Sequence, residues 1–149
     1  MLSIIDIPNL AILKSAELPT AFFFLLENDV VWIRYKEIDD EFGLEHAIRH
    51  TEVLERLNGG SPVHLIIDFR NIDIAFSSEA REHFAHSEGH SSVRTSQAII
   101  LSGLAHKIVA NFYIKFNKPS CPARIFSNPE DAMLWVAKLK GKDKLQNQV

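Results

Sequence analysis

The chain lacks most of the patterns that identify an enzyme from its sequence. Its 149 residues include a single cysteine, Cys121, so no internal disulfide can form and a reducing compartment is the simpler expectation. We find no glycine-rich phosphate loop, no nucleophile elbow, no CxxC pair and no HExxH zinc motif. We therefore expect a non-enzymatic protein with no catalytic residue, no cofactor and no metal site.

The chain also lacks a strong net charge and a long apolar run. It has 16 lysines and arginines against 19 acidic residues, and a formal charge of −3 is too small to attract nucleic acid or an anionic membrane. The N-terminal segment has no basic start, and charges and prolines keep every apolar run below the ~20 residues of a membrane span. We expect a cytoplasmic protein with no nucleic-acid partner and no membrane span.

The composition that is present is that of a globular protein, with 46% hydrophobic and 23% charged residues in a length that suits one core. Residues 20–36 hold two apolar runs around an acidic and amide turn, which predicts a β-hairpin. Helical and strand patterns then alternate, with helices at 41–58, 77–92, 104–117 and from 128, and strands at 63–69, 96–102 and 123–127. This alternation predicts an α/β fold with a mixed, mostly parallel sheet, an N-terminal hairpin and about four helices.

We assign residues 1–19 to an N-terminal extension, 20–140 to a single domain and 141–149 to a polar tail.

Five short segments carry a family resemblance: VVWIRYK, IIDFRN, SSEAR, ANFYIKFNKP and IFSNPEDAMLW. In this order and spacing, the stretch from about residue 20 to 139 resembles small bacterial STAS/Sec14-like proteins with no assigned function. The resemblance implies a SpoIIAA-like (STAS-type) fold. It also implies a non-enzymatic regulatory or protein-binding module, with a regulatory protein as partner. The alternative, suggested by Sec14-like members of the broader fold, is a carrier or sensor of a small apolar or lipid-like ligand.

Ser77 and Ser78 open the second predicted helix. They match the serine pair of the anti-sigma-factor antagonists that share the STAS fold, and Ser78 falls at the place of the phosphoacceptor. However, Phe76 and Glu79 replace the Asp and the Gly of that motif, and a carboxylate beside Ser78 would repel a phosphate. A serine at a helix start also has a structural role as the N-cap. We therefore expect Ser78 to be structural, with its phosphorylation as the competing hypothesis.

Three histidines follow these serines on the same predicted helix. At about 100° per residue, His83, His86 and His90 share a narrow arc on the side away from Phe84. Histidines spaced by four can bind zinc, but no third ligand or base follows at a recognisable spacing. A solvated outer face is the favoured interpretation, and it applies equally to His46 and His50, which are also spaced by four on the first long helix.

Asp68 and Arg70 lie at the carboxyl end of the central predicted strand, and Arg81 follows in the next helix. Open α/β sheets bind ligands at that edge, so these three side chains form a candidate anion site. The alternative is that they tie the strand-to-helix loop through hydrogen bonds and ion pairs.

The predicted helix at residues 104–117 has an unusually narrow polar face. Lys107, Asn111 and Lys115 form one stripe, and almost every other position is apolar. The helix should therefore bury a second side against another subunit, residues 1–19, neighbouring helices or an apolar ligand. We expect a two-fold homodimer. The interface candidates are Ile108, Phe112, Tyr113 and Phe116.

Overall fold

The computed structural model describes residues 11–147, except for the side chains of Ala105, Val109 and Phe112 and those from residue 142 onward. The strands are β1 (Ile12–Leu18), β2 (Ala21–Leu26), β3 (Val30–Tyr35), β4 (Val63–Asp68), β5 (Arg94–Ile100) and β6 (Ala123–Phe126). The helices are α1 (Leu44–Leu57), α2 (Ser78–His86), α3 (Glu88–Ser92), α4 (Leu104–Asn117) and α5 (Pro129–Asn147).

The six strands form one sheet in the order β1-β2-β3-β4-β5-β6. β1, β2 and β3 pair antiparallel, whereas β3 to β6 run parallel because a helix connects each strand to the next. The predicted α/β fold with a mixed, mostly parallel sheet is confirmed. The predicted hairpin is β2–β3, and α4 has the predicted bounds.

The turn of this hairpin explains why three polar residues, Glu27, Asn28 and Asp29, separate two apolar strands. Asn28 and Asp29 both have positive φ values, 65° and 61°. Asn and Asp tolerate this left-handed conformation better than most residues, and its twist matches that of the flanking strands. The turn therefore sets the register in which Leu26 faces Val30.

Residues 1–19 were expected to form an extension outside the domain, and this boundary is wrong for the part that is described. Ile12–Leu18 forms the edge strand β1, with Leu18 paired to Ala21. Residues 1–10 lie outside the described residues. At the other end, α5 continues to Asn147 through the expected polar tail.

The single helix expected at residues 77–92 is instead two helices, which makes five in residues 11–147 rather than about four. Ser87 has an extended backbone conformation that ends α2. Its hydroxyl then accepts from the His90 amide and caps α3. The break changes the direction in which every side chain after Ser87 points.

Side chains alternate along the strands to build two apolar cores on opposite faces of the sheet. Phe23 and Leu65 contribute to the core beneath α1 and α2, whereas Phe24 and Trp32 contribute to the core beneath α5. α4 lies on the α1 side, where the space between helix and sheet is not fully packed.

Candidate ligand cavity

A cavity of about 420 Å³ lies between the sheet and helices α1, α2 and α4. Its floor is a row of three isoleucines on neighbouring strands, Ile33, Ile67 and Ile99. Leu54 of α1 and Phe84 of α2 form apolar walls above this row. The volume and the apolar lining are those of ligand pockets, which usually measure about 300–1,000 Å³.

The side chains of α4 explain why space remains under this helix. His106, Ala110 and Tyr113 are spaced by four and three residues, so they project from one helix face toward the sheet. Ala110 in the middle is too small to reach the floor. On β5 the cavity extends from Gln97 to Leu101, a distance of about 13 Å at the usual rise of a strand.

Gln97 and Tyr113 form the polar inner end of the cavity, and Arg94 lies behind Gln97, outside the cavity lining. Arg94 Nη1 donates to Gln97 Oε1 over 3.0 Å, and Arg94 Nη2 donates to the Ala85 carbonyl over 3.0 Å and to Ser120 Oγ over 3.4 Å. Gln97 Nε2 and Arg94 Nε, both buried, have no hydrogen-bond partner among the described residues. Two donors at this end are therefore unsatisfied.

The Tyr113 hydroxyl lies close to both of these side chains. Burial raises the pKa of Tyr113, and the nearby Gln97 amide and Arg94 guanidinium oppose the rise. Tyr113 stays a neutral hydroxyl at physiological pH and is available as a further donor.

Arg94 is also notable for its charge, because only 4% of the residue is exposed. Its acceptors among the described residues are an amide oxygen, a carbonyl and a hydroxyl, all of them neutral. A buried guanidinium without a carboxylate partner is uncommon, since buried charges are normally paired. The inner end of the cavity is therefore electropositive.

His50 forms a second polar point on the cavity wall. The residue is 1% exposed, its Nε2 lies 2.7 Å from Thr20 Oγ1, and its Nδ1 has no partner among the described residues. Its ring packs between Phe23, Tyr35 and Phe42. Burial, together with His46, lowers the pKa of His50 to about 3, so the ring is neutral at physiological pH.

The expected solvated face of His83, His86 and His90 is wrong for His90. His90 is buried and its Nδ1 lies 2.9 Å from Thr51 Oγ1, while the half-buried His83 places Nε2 2.8 Å from the same hydroxyl. Burial and Arg94 lower the pKa of both rings. The break at Ser87 turns His90 inward, and only His86 of the three is exposed. The expectation that His50 is solvated is also wrong, because His50 is buried.

The mouth of the cavity lies at the carboxyl edge of the sheet, where the lining residues Asp73 and Ala75 are exposed and His106 is half-buried. His106 Nε2 lies 2.9 Å from Asp73 Oδ1, so α4 is joined to the loop at 69–77 across this opening. The bond to Asp73 raises the pKa of His106. Arg81 lines the same region and donates to the Phe76 carbonyl over 2.8 Å.

Asp68 and Arg70 contact each other at the carboxyl end of β4, but Arg81 does not join them in the expected anion site. Arg70 Nε and Nη2 reach the two oxygens of the buried Asp68 carboxylate at 3.0 and 2.9 Å. Trp32 Nε1 and Arg34 Nη1, which the sequence did not single out, donate to the same carboxylate at 3.2 and 3.3 Å. These contacts fit the loop-tying interpretation of Asp68 and Arg70, while Arg81 belongs to the cavity.

Ser77, rather than Ser78, is the N-cap of α2. Its buried hydroxyl accepts from the Ala80 amide over 3.0 Å. Ser78 is the first residue of the helix and is exposed, so the expectation that it is the cap is wrong. Ser78 borders an open groove whose other walls include Leu44 and Phe116.

The interface candidates on α4 divide between two sides of the helix. Ile108 and Phe116 are 61% and 73% exposed, and Leu104 on the same side is also exposed. Tyr113 instead faces the cavity, so its assignment to the outer surface is wrong. The Phe112 side chain lies outside the described residues.

No three His, Cys, Asp or Glu side chains of the described residues are grouped closely enough to hold a metal ion. No helix within residues 11–147 combines the length and apolarity needed to cross a membrane.

The sequence left an apolar ligand as only one of several alternatives for the second apolar side of α4. The signals for a cavity were a glutamine directly before the apolar half of strand β5 and an alanine on the inner face of α4. Neither Gln97 nor Ala110 is distinctive until the fold places them opposite each other. Arg94 was missed because nothing in its sequence neighbours indicates burial.

Comparison with known proteins gives a family but no activity. The curated proteins contain no match to this chain. One solved structure is described as an uncharacterized protein from the DUF3478 family with a SpoIIAA-like fold, from Shewanella loihica PV-4. It matches with a TM-score of 0.48 and 18% identity, over 85% of this chain and 92% of that chain. A family model described as a domain of unknown function, DUF7793, matches residues 24–140. Because this match spans well over half of its length, the chain belongs to the DUF7793 family.

Proposed function

We propose that this protein is a non-enzymatic cytoplasmic module that binds a small, largely apolar molecule, as a carrier or a sensor. The observation that carries the proposal is the apolar cavity between the sheet and α4. The residues that would contact the ligand come from three strands and from α1, α2 and α4, so one bound molecule would bridge most of this side of the fold.

The size of the cavity favours an occupant. The cavity opens to solvent at its mouth, so its apolar floor is covered either by water or by a ligand. Water fills polar cavities in which it finds two to four partners, and the isoleucine floor offers none. An apolar ligand would fill the same space and recover the lost packing.

Native mass spectrometry of the protein purified from its own organism tests this proposal. We expect a non-covalent adduct that organic extraction removes. Ala110→Phe should abolish the adduct, because the added ring projects into the cavity. Ala137→Phe is the matched control, since Ala137 is exposed on α5 and the same ring would remain outside.

An adduct-free wild-type protein that also binds no apolar probe would overturn the proposal. So would an adduct that persists in a folded Ala110→Phe variant. Circular dichroism confirms that both variants are folded before the spectra are compared.

A second candidate function is the regulatory, protein-binding role that the family resemblance implies. The supporting observation is the open groove that places the exposed Ser78 beside the apolar side chains Leu44 and Phe116. A partner protein docked there would sense a phosphate on Ser78. The same mass spectra discriminate between the candidates, because a covalent phosphate at Ser78 in most molecules would favour this role.

We also propose that two copies pair through the outer face of α4, defined here as Leu104, Ile108 and Phe116. These three side chains are exposed and spaced along one side of the helix. Exposed apolar side chains grouped on one helix mark interaction sites, and a two-fold dimer covers them on both copies at once. No nucleic-acid partner is proposed, because the net charge of −3 offers no basic surface field.

A further inference from the structure

We infer that the cavity ligand is an amphiphile with an anionic, carboxylate-type head group, and that this head lies at the inner end against Gln97 and Tyr113, in front of Arg94. This inference rests on the proposed ligand-binding function and names the chemical class of the ligand. The apolar body of the ligand then extends along the isoleucine row toward the mouth at Asp73 and His106.

The first argument is the unsatisfied amide of Gln97. Gln97 lines the cavity, is 2% exposed, and its Nε2 makes no hydrogen bond of normal geometry among the described residues. The nearby Tyr113 hydroxyl can accept only one of the two amide protons, so at least one proton has no acceptor. An amide nitrogen is only a donor, so the missing partner is an acceptor. Buried donors are almost always satisfied in native proteins, which makes a ligand oxygen the natural partner.

The second argument is the charge behind Gln97. Arg94 donates to the Gln97 carbonyl oxygen, which turns the Gln97 amide nitrogen away from the guanidinium. Arg94 Nε is also an unsatisfied buried donor, and no carboxylate of the described residues balances the guanidinium charge. An anion at the inner end would compensate a charge that is otherwise buried alone. A cationic head would be repelled by it, and an uncharged head would leave it unbalanced.

The third argument is the polarity gradient along the cavity. Polar donors cluster at the Gln97 end, while the middle is formed by Ile33, Ile67 and Ile99 with Leu54 and Phe84. A molecule that is charged at one end and apolar over about 10 Å matches this arrangement. A uniformly polar anion would leave the isoleucine row wet.

The test compares three probes of equal chain length on the full-length protein by titration calorimetry: octanoate, octanol and octylammonium. We expect octanoate to bind roughly tenfold or more tightly than octanol, because hydrogen bonds to a charged group are stronger than those to a neutral one. Octylammonium should show no binding.

Two variants locate the head group. Arg94→Met should abolish the preference for octanoate over octanol, whereas Arg94→Lys, which keeps the charge, should retain part of it. Because Arg94 also bonds Ala85 and Ser120, Gln97→Leu provides a second test, which removes the Gln97 amide and its bond from Arg94 but leaves those two bonds in place. It should weaken octanoate binding roughly tenfold. Ser96→Ala is the control, since Ser96 is a buried polar residue of β5 whose partner is His64 rather than a cavity residue.

The outcomes separate this inference from the proposed function. If none of the three probes binds, the proposed function itself fails. If octanol binds as tightly as octanoate, or if the folded Arg94→Met and Gln97→Leu variants keep the wild-type preference and affinity, the head-group assignment is wrong and the apolar cavity site stands.

Discussion

At the residue scale, the exact position of a helix end decides the role of a polar side chain. Ser77 and Ser78 are neighbours with the same chemistry, yet the first is a buried cap and the second is an exposed first-turn residue. His86 and His90 differ in the same way, since His86 is exposed and His90 is buried, because the helix breaks between them at Ser87. A sequence pattern locates a helix start to within a residue or two, and these roles change over that distance.

The cap assignment gives a prediction with a matched control. Ser77→Ala should lower the free energy of unfolding by about 1 kcal/mol, because the Ala80 amide loses its acceptor. Ser78→Ala should change it by less than about 0.5 kcal/mol, as is usual for an exposed residue. Urea unfolding monitored by circular dichroism measures both. A larger loss for Ser78→Ala than for Ser77→Ala would contradict the observed cap.

At the scale of whole elements, a segment could be predicted where its apolar pattern was strong. The bounds of α4 and the β2–β3 hairpin followed from periodicity and turn chemistry. β1 was missed because Lys14, Ser15 and Glu17 interrupt the apolar residues of ILKSAEL without a regular alternation, and most of the strand is exposed. An edge strand pairs on one side only, so backbone hydrogen bonds can hold it without the apolar alternation that marks an inner strand.

α4 is apolar on two sides that have different surroundings. Ala110 and Tyr113 face the cavity, while Ile108 and Phe116 face outward. The sequence showed the narrow polar stripe, but it could not assign each apolar residue to one side. Tyr113 therefore moved from the expected interface to the candidate ligand site.

The outward face of α4 leads to a prediction about association. We expect a dimer in multi-angle light scattering at high micromolar concentration, and we expect Ile108→Glu to convert it to a monomer because two carboxylates would meet in the interface. Leu134→Glu is the matched control, since Leu134 on α5 has the same 61% exposure as Ile108. A wild-type monomer at all concentrations, or equal effects of the two variants, would rule out an interface on α4.

At the scale of the whole molecule, the fold class could be predicted and the cavity could not. The order of strands and helices is a property of local patterns, which each segment carries separately. A cavity depends on what several distant side chains fail to fill, here Ile33, Leu54, Ile67, Ile99 and Ala110. None of these residues is unusual alone, and their combination exists only after the chain has folded.

The buried histidines lead to a prediction about the stability of the whole fold in acid. The pKa of His50 is lowered to about 3, and the pKa values of His83 and His90 are also lowered, mainly by burial. Each ring binds protons more readily in the unfolded chain, where its pKa is about 6.5. The stability that these neutral rings contribute is therefore fully present above pH 6.5 and is lost as the pH falls toward the folded values.

His50 alone should cost about 2 kcal/mol of stability between pH 6.5 and pH 5, at 1.36 kcal/mol per pH unit. Urea unfolding at a series of pH values should show a slope that His50→Gln reduces, because glutamine keeps a donor for Thr20 and does not titrate. His86→Gln is the control, since His86 is exposed at the end of α2 and should leave the slope unchanged. If stability is flat from pH 7 to pH 5, or if His86→Gln reduces the slope as much as His50→Gln does, then the buried neutral rings are not the origin of the acid sensitivity.

The same series repeated with octanoate links this acid response to the cavity. A ligand that binds only the folded state raises stability at every pH, and one that contacts His50 should also change the slope.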